Sequence, residues 1–237
     1  MNFRRNFVLL PVAMLVLYPL SHAWGQSSSS SSSSSAPHVR KAVPAAESRL
    51  DAGSVSNGVY RNSGFGFTCK IPAGWVLRTE EMNAREDESA PPAKESRAAL
   101  RAGGGGCPDA SSCVLLAVFS RPPAAKGEDV NSSILIAAES ASAYPGMKEA
   151  AQYFGPVTEI VKAQGFEIIE DPYEMEIGTK TVVRGDFQKD IGTRVMRQST
   201  LAILGRGYVV SFTFIGGTED EVEELVQGLS FGTGAKK

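Results

Sequence analysis

The sequence predicts an α+β domain in which helices lie over a central, largely antiparallel sheet. Three observations carry this. Phe65, Phe67, Cys69 and Ile71 alternate with Gly66, Thr68 and Lys70, the period of a strand with one buried face. Strand-like segments between residues 166 and 215 follow one another through short turns, as antiparallel pairing requires. Residues 146–164 and 218–229 instead place apolar side chains at helical spacing. Hairpin-linked strands punctuated by two helices are an α+β pattern.

Taken in order, the N-terminus reads as a secretory signal. Arg4 and Arg5 precede an apolar run at residues 7–20, which is short for a membrane span and is broken by Pro11 and Pro19. Ser21-His22-Ala23 offers a cleavage site after Ala23, and Ala23-Trp24-Gly25 a second one after Gly25. Cleavage is expected over retention as an anchor, so residues 1–25 form the signal peptide and the protein is periplasmic or extracellular. No cysteine lies at the cleavage site, so no bacterial-type lipid anchor is indicated. Cleavage removes two of the 24 Lys and Arg and leaves 22 against 26 Asp and Glu, a net charge of −4. Nucleic-acid binders usually carry a clustered basic face, so nucleic acid is not an expected partner. No second long apolar run follows, and no stable membrane span is expected after cleavage.

Residues 26–57 read as a Ser-rich linker. The nine serines Ser27 to Ser35 bury no apolar surface and carry no charge, which makes a solvated tether, either an O-glycosylated spacer or plain padding. The domain is expected over residues 58–232, with 233–237 a tail. Within it, residues 78–112 are polar, acidic and then Gly-rich, and read as a flexible insertion looped off the core. Residues 113–120 are continuously apolar, as in a strand buried on both faces, and residues 133–138 repeat that character. In the helix at 146–164, Gly165 stands where a C-cap belongs and Pro156 predicts a kink or restart. Strands follow at 166–169, 173–177, 181–188, 194–204 and 208–215, the last two joined by Gly205-Arg206-Gly207. Thr218 with Glu221 forms a capping box for the closing helix.

The chemistry is bounded mainly by what is missing. Both histidines, His22 and His38, lie outside the expected domain, which excludes Ser-His-Asp and Cys-His mechanisms and His-rich metal sites. No nucleophile elbow, P-loop or dinucleotide fingerprint occurs, so no cofactor is expected. Cys107 and Cys113 flank Pro-Asp-Ala-Ser-Ser and suit a short disulfide in an oxidising compartment; Cys69 reads as a buried, inert thiol. Glu139, Glu170, Asp171, Glu174 and Glu176 are candidates for carboxylate catalysis, with a solvated strand edge as the preferred reading of the Glu174/Glu176 pair. Glu170-Asp171 lacks the regular oxygen spacing of a calcium loop. Tyr60, Trp75, Tyr144 and Tyr208 are aromatic candidates for a binding groove, Tyr60 and Trp75 foremost.

One resemblance is carried by Tyr60-x-Asn62, Phe65-x-Phe67 and Ile71-Pro72-x-Gly74-Trp75, then a long helix, then Gly207-Tyr208-Val209-Val210-Ser211-Phe212 before a terminal helix. Over residues 58–231 the chain resembles the PsbP-like superfamily, which includes the photosystem II extrinsic subunit and many bacterial exported proteins. The resemblance implies an α-β-α sandwich around a central antiparallel sheet. It implies no shared catalytic residues and a binding or accessory role. The expectation is a non-catalytic exported domain that binds a protein partner or envelope component. The alternatives are a carboxylate-dependent hydrolase of an extracellular polymer and a carrier of a small apolar ligand.

Overall fold

In a computed structural model of the chain, strands dominate and form two antiparallel sheets. The structure describes residues 50–89, 112–122, 125, 127 and 129–232. The smaller sheet has the order β1 (Ser54–Ser56), β2 (Val59–Asn62), β3 (Phe67–Lys70), β11 (Leu229–Phe231). The larger runs β4 (Val76–Leu77), β5 (Ser112–Phe119), β6 (Ser133–Ser140), β10 (Tyr208–Gly216), β9 (Arg194–Gly205), β8 (Lys180–Ile191), β7 (Glu167–Ile177). Among the described residues three α-helices accompany them: α1 (Thr79–Ser89), α2 (Phe154–Ala163) and α3 (Glu219–Gln227).

This corrects the expected α-β-α sandwich. The segment around Phe67 does not join the central sheet; it forms a sheet of its own, which the C-terminal β11 completes. The helix expected over 146–164 shrinks to ten residues preceded by a 3-10 turn at Ala150–Tyr153. Pro156 sets that limit, because only the first turn of a helix tolerates a missing N–H. The strands expected at 166–169 and 173–177 merge into one eleven-residue β7 that runs through Pro172.

Turn chemistry fixes the hairpins. Asn57 and Gly58 both take positive φ (52° and 69°), as do Arg206 and Gly207 (54° and 79°). Two successive left-handed residues make the type I′ turn whose twist matches paired strands. They close β1 on β2 and β9 on β10. Thr218 Oγ1 accepts the Glu221 N–H at 3.2 Å and starts α3 as the sequence predicts. Glu221, however, turns back to the Gly217 N–H at 2.8 Å rather than to Thr218.

The main core lies between the small sheet with α3 and one face of the large sheet. Phe67 meets Phe212 edge-on at 4.9 Å between ring centroids, and Phe231 packs against both. Val210, Phe212 and Phe214 point into this core, and Val222, Leu225 and Val226 close it from α3. Each such large side chain gains about 1.5–3 kcal/mol from burial. On the opposite face, α2 covers Val183, Phe187 and Ala202, while Met82 of α1 packs on Val114, Ala117 and Leu135. Gly185 is required there: a Cβ would lie 2.8 Å from the Phe154 ring.

Residues ahead of position 58 are fastened to the domain. The Asp51 carboxylate accepts the Gly53 and Gly64 N–H groups at 2.9 and 2.7 Å and the Ser63 hydroxyl at 2.9 Å. Burial pushes this carboxyl up, and the bonds outweigh it, holding Asp51 below the usual carboxylate range. The insertion at 78–112 is likewise not all loop, since its first third is α1.

Candidate binding cleft

Along one end of the large sheet, three segments enclose an open cleft of about 710 Å³. One is formed by Ser120, Arg121, Asp129, Val130 and Ser132, the second is the start of β9, and the third is the run Gly217 to Glu221 that opens α3. Asn131 organises the connection: its Oδ1 accepts the Ser120 hydroxyl at 3.0 Å and the Arg121 N–H at 3.2 Å, and its Nδ2 donates to the Arg121 carbonyl at 3.1 Å. That brace orients Arg121, whose guanidinium donates to the carbonyls of Val130, at 3.4 Å, and Asp129. Arg121 Nε is buried without an acceptor among the described residues.

From β9, Arg194 pairs with Asp129 at the rim. Arg197 lines the cleft with no ion pair or side-chain hydrogen bond among the described residues. The α3 side is acidic. Glu221 is engaged by Gly217 and by the Ser132 hydroxyl at 2.5 Å, while Glu219 is exposed. Charges of both signs therefore face one another across an open depression. Val130 and Val195 add small apolar patches between them. A second, smaller cleft of about 270 Å³ lies at Ser63–Gly66, Lys180 and Arg206.

The aromatic pair expected to line a groove lines neither of these clefts. Tyr60 is 1% exposed and belongs to the core; its hydroxyl donates to the Ala52 carbonyl at 2.9 Å and burial pushes its pKa up to about 12. Trp75 is partly buried against the same core and lines neither cleft. Tyr208 is edge-on to Phe65 at 6.2 Å. The first part of the chain, with the cleavage sites after Ala23 and Gly25, lies outside the described residues, as does Cys107; Cys113 is buried at the start of β5. Cys69 is fully buried, and desolvation pushes its thiol up to about 12, as expected of an inert cysteine.

The candidate carboxylates are dispersed. Glu139 accepts the hydroxyls of Tyr144 and, at 2.5 Å, Tyr153, while Glu170, Asp171, Glu174 and Glu176 line the exposed edge strand β7. Burial, then the Glu139 charge and hydrogen bond, raises the Tyr153 pKa well above its ordinary value. Among the described residues no group of three or more His, Cys, Asp or Glu could hold a metal ion.

A second polar cluster also escaped the sequence reading. Arg184 Nε donates to both Asp186 oxygens at 3.0 Å, Nη1 to Glu223 at 2.8 Å and Nη2 to Ser199 Oγ at 3.1 Å. Tyr173 donates to Asp186 at 3.3 Å, so β7, β8, β9 and α3 are tied at one point. No sequence motif marks this cluster or the three cleft arginines.

No family model and no curated protein matches the chain. Solved structures give distant likenesses. The Saccharomyces cerevisiae Ran-binding protein Mog1p is 13% identical, covers 76% of this chain and 86% of its own, and superposes with a TM-score of 0.38. LpqN of Mycobacterium tuberculosis, involved in cell envelope biogenesis, is 13% identical over 69% of this chain and 82% of its own, with a TM-score of 0.32. PA94 from Pseudomonas aeruginosa, a protein of unknown function, is 21% identical over 43% of this chain and 68% of its own, with a TM-score of 0.31.

Proposed function

We propose that the chain is an exported, non-catalytic binding domain that docks a protein partner or cell-envelope component in the cleft between Arg121, Arg194 and Glu219. The observation that carries this reading is Arg197, unpaired among the described residues, in an open cleft of about 710 Å³ whose rim bears both signs of charge. Such a rim sets orientation and association rate on a polar surface more than raw affinity. Of the candidate groups, Glu139 is engaged by two tyrosines and Cys69 is held in the core, while the remaining carboxylates lie dispersed along the solvated edge strand β7. The N-terminal signal pattern and the PsbP-like resemblance of the sequence support the same reading, with the periplasm or cell exterior as the place of action. No helix among the described residues is long and apolar enough to cross a membrane.

The test is affinity capture with the mature protein from its own envelope fraction, run beside Arg194→Glu/Arg197→Glu. The expected result is a reproducible partner whose recovery falls about tenfold or more in the charge-reversed variant, at unchanged thermal stability. Absence of any partner, or equal recovery by both proteins, overturns the proposal. Mass spectrometry of the exported protein checks the address: an intact N-terminus through Gly25 would contradict cleavage.

A further inference from the structure

The outer edge of β5 is closed mostly by side chains, not by a strand. Among the described residues, strand pairing on this edge is confined to β4 against Val118 and Phe119. Beyond it the Asn83 amide lies against Val114: Nδ2 donates to the Val114 carbonyl at 2.9 Å, and Oδ1 accepts the Val114 N–H at 3.0 Å. Next along the edge, Thr79 Oγ1 accepts the Ala117 N–H at 3.0 Å, and the Arg78 N–H donates to the Ala117 carbonyl at 2.8 Å. A primary amide presents a donor and an acceptor side by side, so Asn83 reproduces the two bonds of an opposing strand residue.

The cover is lightly held. Among the described side chains of α1, Met82 supplies the packing on the Val114, Ala117 and Leu135 cluster. Helices in proteins owe most of their stability to an apolar face, and α1 (Thr-Glu-Glu-Met-Asn-Ala-Arg-Glu-Asp-Glu-Ser) has almost none. The edge beneath it is of the opposite character. From Cys113 to Phe119 there is no charge, and the residues from Cys113 to Val118 are buried.

A strand that pairs here must be uncharged and apolar on both faces. β7, the other edge of the sheet, does not qualify, since it carries Glu167, Glu170, Asp171, Glu174, Glu176 and Pro172. β5 of another copy does. Antiparallel pairing of β5 with itself is two-fold symmetric and sets the Val114 groups of one copy opposite the Ala117 groups of the other; it also displaces β4, since Cys113 of one copy then lies opposite Val118 of the other. We propose that the outer edge of β5 is a latent strand-pairing surface, closed by Asn83 and Thr79, whose occupant on release is β5 of a second copy of this chain.

The test compares the exported full chain with its Asn83→Ala variant by sedimentation velocity and amide hydrogen exchange. The wild type is expected to be monomeric. N83A is expected to associate reversibly to a dimer, with an association constant raised on the order of tenfold or more for the two lost bonds. Its Val114 and Ala117 amides should exchange faster than in the wild type when dilute and become protected in the dimer. A folded N83A that stays monomeric, one that associates no more than the wild type, or a dimer in which these amides exchange freely overturns the proposal. Should N83A misfold, Asn83→Asp keeps the acceptor and loses the donor, and a folded N83D that associates no more than the wild type is equally decisive.

Discussion

The two edges of the seven-stranded sheet face the same hazard and meet it with different physics. An open edge is a row of unpaired N–H and C=O groups that any extended chain can join. β7 answers with solvation: exposed Glu167, Glu170, Asp171, Glu174 and Glu176, a proline, and two breaks in register against β8. β5 answers with occupancy: α1 seats the Asn83 amide where a strand residue would sit. Solvation is spread over many residues and survives the loss of any one. Occupancy rests on a few hydrogen bonds and fails at a single position.

The largest effect is expected at the β7 side, where the edge is fastened inward. Arg184→Met leaves Asp186 and Glu223 without their cation, and loss of one partner from a mostly buried pair costs about 3 kcal/mol, read as a fall in chemical-denaturation midpoint. Asn83→Ala should cost about 1–3 kcal/mol for two backbone groups left unpaired at the β5 edge, in the same measurement. If the damage is confined to that edge, Cys69 stays unreactive toward a thiol reagent at pH 8 in the variant; a reactive Cys69 would show that the core itself had loosened.

The core between the edges has its own signature in alkali. The Cys69 thiol ionises near 9.0 in the unfolded chain and near 12 in the fold. Above pH 9 the unfolded state therefore holds fewer protons than the native state, so stability falls as pH rises. The loss from this group is on the order of 1 kcal/mol by pH 10. Tyr60, raised from 10.0 to about 12, adds to it at higher pH. Cys69→Val should flatten the pH 9–10 part of the curve, whereas Asn83→Ala should leave its shape unchanged.

The smallest change in stability is expected from Glu174→Val/Glu176→Val, within about 0.5 kcal/mol, because both side chains are exposed. The effect should appear instead as concentration-dependent light scattering, since the edge has lost its charge. Monomeric, clear solutions of this variant at high concentration would mean that Pro172 and the register breaks suffice.

What the sequence revealed follows from the range of each interaction. The hairpin at Arg206-Gly207, the capped start of α3 and the alternation of β10 are local and were legible, as was the burial of Cys69. The Glu174/Glu176 pair also falls on a solvated edge, as its alternation implied. The missed features join distant positions. Asn83 reaches Val114 across 31 residues, Arg184 reaches Glu223 across 39, Arg194 reaches Asp129 across 65, and Ser132 reaches Glu221 across 89. No periodicity encodes such pairings. The overestimate of helix has a related cause: apolar spacing over 146–164 predicts one helix with a kink or restart at Pro156, whereas the chain forms a 3-10 turn at Ala150–Tyr153 and then a ten-residue α2 with Pro156 in its first turn. Tyr60 suits a groove or a core because an aromatic with a hydroxyl fits either place; here its hydroxyl finds the part-buried Ala52 carbonyl and the ring lies in the core.

The Asp51 knot governs how the domain hangs. The chain enters at Asp51, beside the small sheet, and leaves through β11 in that same sheet, where the Gly232 N–H donates to the Gly66 carbonyl at 3.3 Å. Tension on either end of the chain is thus delivered to the small sheet first, through Asp51, Ser63 and Gly64 on one side and Phe231 and Gly232 on the other. The large sheet, with its arginine-lined cleft, stands off this line of force.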